Sequence, residues 1–122
     1  MGENFQVLED LNVWKLCREL KIELSKTARE FPADEKWGLI SQMKRAANSV
    51  PYNIAEGCGR KTKPELLNFL NIALGSITEL NTQIDIAIML EFISEKEKAD
   101  KCRELALSVK RQLLGLIKAN NK

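Results

Sequence analysis

Residues 42–60 read QMKRAANSVPYNIAEGCGR, a helical period with a proline near its middle and two glycines close to its end. Met43, Ala46, Ala47, Val50 and Ile54 recur at three- and four-residue steps and form one apolar stripe. A second row, Gln42, Arg45, Ser49, Asn53, Glu56 and Arg60, keeps the same steps about a quarter turn away and is wholly polar. An ordinary surface helix needs no such ordered polar row. Because the period continues on both sides of Pro51, the lost amide donor and the crowding of the Ala47 carbonyl predict a kink and not a break. Gly57 and Gly59 end the helix, and Arg60-Lys61-Thr62-Lys63 becomes a short basic turn.

Working outward, a first helix is expected from about Asp10 to Arg29. Val13, Leu16, Cys17, Leu20, Leu24 and Ala28 form its buried face, with Lys15, Arg18, Glu19, Lys21 and Glu23 pointing to solvent and Trp14 at an edge. Pro32 stops it by disfavouring helical geometry in the preceding residue. Asp34 is the expected N-cap of the second helix, with Glu35 in the first turn, and Trp37, Leu39, Ile40 and Met43 lead into the central stretch.

Downstream, proline at Pro64 marks the start of a third helix that should continue to about Glu91. Leu66, Phe69, Leu70, Ala73, Ile77, Leu80, Ile84 and Ala87 make one broad stripe, and Leu67, Ile72, Leu74, Ile86 and Ile88 spill beyond it. A single face in a small monomeric bundle does not need that much apolar surface, so the second face is read as a subunit contact. Ser94-Glu95-Lys96-Glu97 has the capping-box pattern and should open a fourth helix to about Lys118. Ala99, Cys102, Leu105, Ala106, Val109, Leu113, Leu116 and Ile117 point inward, and residues 120–122 should fray. Four long helices with short connections give an all-α fold, an up-down-up-down antiparallel four-helix bundle with a proline-kinked second helix, in one domain spanning 1–122.

Bulk chemistry narrows the function. The chain has 122 residues, 30% of them charged, and a formal net charge of +2, so contact with nucleic acid would rest on local clustering of charge. There is no histidine, which removes the commonest general base and zinc nitrogen ligand. Cys17, Cys58 and Cys102 are odd in number and lack CxxC spacing, as expected of reduced thiols in a cytoplasm. The start, MGENFQVLED, has no signal-peptide pattern, and Gln6 stands where a myristoylation motif has Ser or Thr. The longest apolar tract, Ile84 to Leu90, is interrupted by Asp85 and is too short to span a bilayer. The expectation is a soluble, cytoplasmic, non-enzymatic protein without metal, cofactor or membrane partner.

Trp14, Phe31-Pro32, Glu35, Gly38-Leu39, Gln42 and Arg45-Ala46-Ala47 form an ordered series along the chain. Ser49-Val50-Pro51, Asn53-Ile54-Ala55-Glu56-Gly57, Arg60, Phe69-Leu70, Ile72-Ala73, Gly75-Ser76, Glu79-Leu80 and Thr82-Gln83 continue it. In order and spacing, over nearly the whole chain, the series resembles the four-helix-bundle proteins related to the intervening-sequence protein of large-subunit ribosomal RNA genes. That family is similar in turn to the accessory protein of diversity-generating retroelements, which partners a reverse transcriptase and binds nucleic acid. The resemblance implies a left-handed bundle whose protomers close into a homopentameric ring, and no transferable catalytic activity. The retroelement proteins are strongly basic, whereas this chain is nearly balanced.

Two candidate sets follow. Lys44, Arg45, Arg60, Lys61 and Lys63 concentrate positive charge, with Glu56 the only acid between Lys36 and Lys63. Such a cluster suits RNA or DNA phosphates, or a nucleic acid–protein complex. The alternative is a solvated helix end in a ring-forming scaffold that binds protein partners only. Gln42, Ser49, Asn53 and Glu56, with Glu79 on the third helix, form a structural polar row. It is expected to meet Asn68, Asn71, Gly75 and Thr82 and to bring Arg45 or Arg60 near Glu79, fixing the register of helices or subunits.

Overall fold

The computed structural model describes residues 11–121. The readings of the amino-terminal decapeptide, including Asp10 as a helix start, and of Lys122 lie outside those residues. Four helices, α1 (Asn12–Ala28), α2 (Leu39–Cys58), α3 (Lys63–Met89) and α4 (Lys96–Asn120), form an all-α four-helix bundle. α2 packs most extensively on α3, α3 on α4 and α4 on α1, while the α1–α2 seam is the least extensive of the four. Gly57 lies against Leu66, Ser49 meets Ser76 and Arg45 meets Glu79, so positions fall along α3 as they rise along α2. That is the register of an antiparallel pair.

The apolar stripes converge on one core. Ile54, Leu70, Ile77, Leu80, Ile84, Val109 and Leu113 are almost wholly removed from water. α2 remains one helix through Pro51, and Met43, Ala46, Ala47, Val50 and Ile54 are buried on both sides of it. Gly57 explains how closely α2 approaches α3. A Cβ there would lie 3.0 Å from Leu66 Cδ1, 3.2 Å from Phe69 Cβ and 3.3 Å from the Leu66 carbonyl oxygen.

Several helix ends differ from expectation. Gly38, not Asp34, caps α2, and a 3-10 turn at Ala33–Glu35 precedes it. The Leu39 amide donates to Glu35 Oε1 at 3.1 Å, so the capping group comes from the turn before the helix. A Cβ at Gly38 would sit 2.9 Å from that same oxygen, and glycine leaves the carboxylate its place. Trp37, expected to lead into the buried face, is 85% exposed beside Lys36.

The capping box at Ser94–Glu97 is not used. Glu95 is the N-cap, without a side-chain cap bond, and Glu97 falls one position too early to reach back. Side-chain capping operates at Thr62–Glu65 instead. Thr62 Oγ1 accepts from the Glu65 amide at 3.3 Å and donates to Glu65 Oε1 at 2.9 Å, with Pro64 in the first turn of α3. α3 ends at Met89 in a Schellman turn: the Phe92 amide donates to the Ala87 carbonyl at 2.8 Å and that of Glu91 to Ile88 at 3.0 Å. Glu91 occupies the left-handed position, at φ 63°, where glycine is usual.

Glu23, expected in solvent, is buried on the α1–α4 seam, where Lys101 Nζ reaches it at 3.1 Å. Thr27 is buried one turn along, its hydroxyl 3.7 Å from Cys102 Sγ. At the same end Lys98 pairs with Glu30, and the rings of Phe31 and Phe92 lie 5.5 Å apart, tying the two interhelical loops together.

Candidate functional site

The polar row of α2 meets α3 through hydrogen bonds. Arg45 Nη2 donates to Glu79 Oε2 at 3.0 Å, and Gln83 Nε2 donates to the same oxygen at 3.0 Å. About one turn along, the hydroxyls of Ser49 and Ser76 lie 2.7 Å apart. Asn53 Nδ2 turns back to Ser49, 2.8 Å from its carbonyl oxygen and 3.0 Å from its hydroxyl. Gln42, at the head of the row, is exposed.

On α3 the partners are Ser76 and Glu79, with Gln83 joining through Glu79, not the whole set expected. Asn71 and Thr82 donate to the carbonyls of Leu67 and Thr78 on their own helix, and Gly75 has no neighbour within 4 Å of a Cβ position. Ile72 and Ile86 are exposed on the same helix.

The five basic residues do not form one patch. Lys44 and Arg60 are sixteen positions apart, so at 1.5 Å per residue about 24 Å of helix separates them. Arg45 is engaged by Glu79. Lys44 stands beside Lys21 of α1, and burial together with the Lys44 charge holds the Lys21 ammonium below the ordinary lysine range. Arg60, Lys61 and Lys63 remain together at the α2–α3 turn. The Arg60 guanidinium lies 4.7 Å from the centre of the Phe69 ring and pairs with Glu56 at 3.1 Å. Lys61 and Lys63 are exposed on either side of Thr62 and belong to no ion pair among the described residues. Cap and cation–π contact therefore fix the turn's backbone and one of its three cations, leaving the other two projecting.

Chemistry of other kinds finds little material. Burial pushes the Cys17 thiol up to about 12 and raises those of Cys58 and Cys102, so none is a ready thiolate. Among the described residues no group of three or more Cys, Asp or Glu is placed to hold a metal ion, and no described helix is long and apolar enough to cross a membrane. Sequence periodicity gave no sign of a groove between α1 and α2, floored by Leu24, Met43 and Ala47. The small residues Ser25, Ala28 and Ala47 that leave it open were its only trace.

Residues 9–115 match a family model described as 23S rRNA-intervening sequence protein. A crystal structure of a protein of unknown function from the S23 ribosomal protein family of Bacteroides thetaiotaomicron VPI-5482 superposes with a TM-score of 0.78. The alignment covers 97% of this chain and 99% of that one at 21% identity, a likeness of fold. No curated protein sequence matches.

Proposed function

The chain belongs to the 23S rRNA-intervening sequence protein family, and from that premise we propose a non-catalytic module that assembles with copies of itself and contacts RNA phosphates through the Arg60–Lys63 turn. The observation that carries the RNA reading is the construction of that turn. Thr62 and Glu65 fix its backbone, Phe69 and Glu56 hold Arg60, and Lys61 and Lys63 project into solvent. Flexible cations on a fixed turn suit phosphate oxygens, and each phosphate neutralised adds salt-dependent affinity.

Ile72 and Ile86, exposed along α3, supply the apolar area for self-assembly, and a ring of five is the expected product. The absence of histidine and the raised thiols favour a non-catalytic role. Three unpaired cysteines favour the cytoplasm. The second reading, a ring that binds proteins alone, is favoured by the near-balanced charge of +2.

Light scattering after size exclusion, with and without a mixed-sequence RNA at low salt, separates the two. On the RNA reading the assembly shifts with RNA, releases it as salt rises, and loses most of the shift in the Lys61→Ala/Lys63→Ala double variant. An assembly indifferent to RNA leaves the protein scaffold. A monomer removes the assembly from both.

A further inference from the structure

The α1–α2 seam is left partly open, and its chemistry differs from that of the other seams. Leu24 of α1 and Met43 and Ala47 of α2, all nearly buried, line a shallow groove with a cavity of only about 20 Å³. Ser25 and Ala28 are too small to close it. A second, roomier crevice of about 180 Å³, bordered by Trp14, Arg18 and Pro51, continues it along α1, and Lys21 stands between the two. From Trp14 to Ala28 the line of the groove follows about 21 Å of helix, the length of roughly fourteen helical residues.

Its charges have one sign. Arg18, Lys21 and Lys44 rim the two crevices, and no carboxylate lines either one. None of the three belongs to an ion pair among the described residues, although Glu23 of α1 and Glu30 just beyond its end are both paired to α4. Lys21 spends one of its three donors on Asn48 Oδ1 and has two left. Its ammonium is partly withdrawn from water next to the like charge of Lys44, a cost that an incoming anion would remove.

We propose that this seam is a docking site for an acidic amphipathic helix of a partner protein, with an apolar side chain seated in the crevice between Trp14 and Pro51 and flanking carboxylates paired with Lys21, Lys44 and Arg18. A helix lying in an apolar groove presents anchors at i, i+3 or i+4, and i+7, and needs an open channel more than a deep pocket. The sign of the rim selects the partner's charge and excludes a basic helix. The site lies away from the Arg60–Lys63 turn and does not depend on the RNA reading.

The test uses the full chain carrying Trp37→Phe, which leaves Trp14, at the groove's edge, as the only tryptophan. The probe is a fluorescein-labelled peptide of about fourteen residues, with leucine at i, i+3 and i+7 on one face and glutamate on both flanks. Binding is read by anisotropy of the label and, with unlabelled peptide, by Trp14 emission. The expected result is a rise in anisotropy and a blue shift of Trp14, with affinity falling by about tenfold or more in Lys21→Glu/Lys44→Glu. Lys61→Glu/Lys63→Glu should bind as the parent does. Far-UV circular dichroism checks that each variant is folded, and the exposed Lys44→Gln alone should give a smaller loss in the same direction.

Four outcomes of the binding experiment overturn the proposal. They are no binding, binding without a Trp14 response, equal binding of a peptide with lysine in place of glutamate, and displacement by RNA that itself depends on Lys21 and Lys44. The last would assign the groove to nucleic acid. A change of oligomeric state in Lys44→Gln would assign it to a second copy of the chain and overturn the proposal equally.

Discussion

Arg45 and Glu79, thirty-four residues apart in sequence, meet at 3.0 Å on the seam of α2 and α3, and Gln83 donates to the same carboxylate oxygen. Arg45 is largely solvated, so its ion pair contributes at most about 1 kcal/mol. Gln83 is buried and has no other acceptor for its amide. Removing the carboxylate therefore costs more than removing the guanidinium. Urea unfolding should place Arg45→Ala within about 1 kcal/mol of the parent and Glu79→Ala about 1–3 kcal/mol below it. Equal losses would mean that Gln83 finds another partner.

Glu91 takes the left-handed position of the turn that closes α3. A side chain there costs roughly 1–2 kcal/mol relative to glycine. Glu91→Gly should raise the urea midpoint by the equivalent of about 1 kcal/mol, part of the gain being returned through glycine's greater freedom in the unfolded chain. A lower midpoint would mean that the Glu91 side chain makes contacts worth more than the strain.

Gly57 and Gly75 should respond in opposite directions to the same substitution. At Gly57 the new methyl presses on the Leu66 carbonyl and the Phe69 Cβ, which cannot swing aside as a side-chain tip would. Gly57→Ala should lose about 1–3 kcal/mol by overpacking. At Gly75, mid-helix with open space around it, alanine removes the entropic penalty of glycine, and the monomeric fold should gain about 0.5–1 kcal/mol. Loss of self-association in Gly75→Ala, with that gain retained, would place the position inside a subunit contact.

The buried thiols make stability depend on alkaline pH. The Cys17 thiol holds its proton to about 12 in the folded chain, while unfolded cysteine releases it near 9.0. Above pH 9 the unfolded state thus binds fewer protons than the folded one. The contribution is complete below 9 and is lost as pH rises toward 12, by at most about 1.4 kcal/mol per pH unit for one thiol. Lys21 acts in the opposite sense just below its ordinary value of 10.5, because its folded form binds the proton less tightly. Urea midpoints of the parent and Cys17→Ala at several pH values separate these effects: the gap between the two should narrow as pH rises.

The helices and their buried faces were legible because a 3.6-residue apolar period reports burial directly. Leu70, Ile77, Leu80 and Ile84 are buried as their spacing requires. Glu79 was legible as the partner of Arg45 or Arg60, because each lies on a row with its own period, and the choice of Arg45 came from the structure. Glu23 was not, since a charge on a helix reads as solvent-facing until a cation on another helix is known to reach it. Gln83 was hidden in the same way. The Ser/Thr-x-x-Glu patterns that precede α3 and α4 look alike in sequence, yet of these only Thr62–Glu65 has proline at the second helical position to fix the start of the helix. For the candidate site, the residue types in the basic set were readable, but their division into two groups depended on the length of α2 between them.

α1 packs chiefly on α4, the helix farthest from it along the chain, and only lightly on α2, its neighbour in sequence. During synthesis α1 therefore leaves the ribosome long before its main partner exists. α2 and α3, joined by a capped turn and sharing the most extensive seam, can close as a hairpin while α1 waits. The bundle becomes complete only when α4 arrives, and until then Val13, Leu20 and Leu24 are open to whatever the nascent chain meets first.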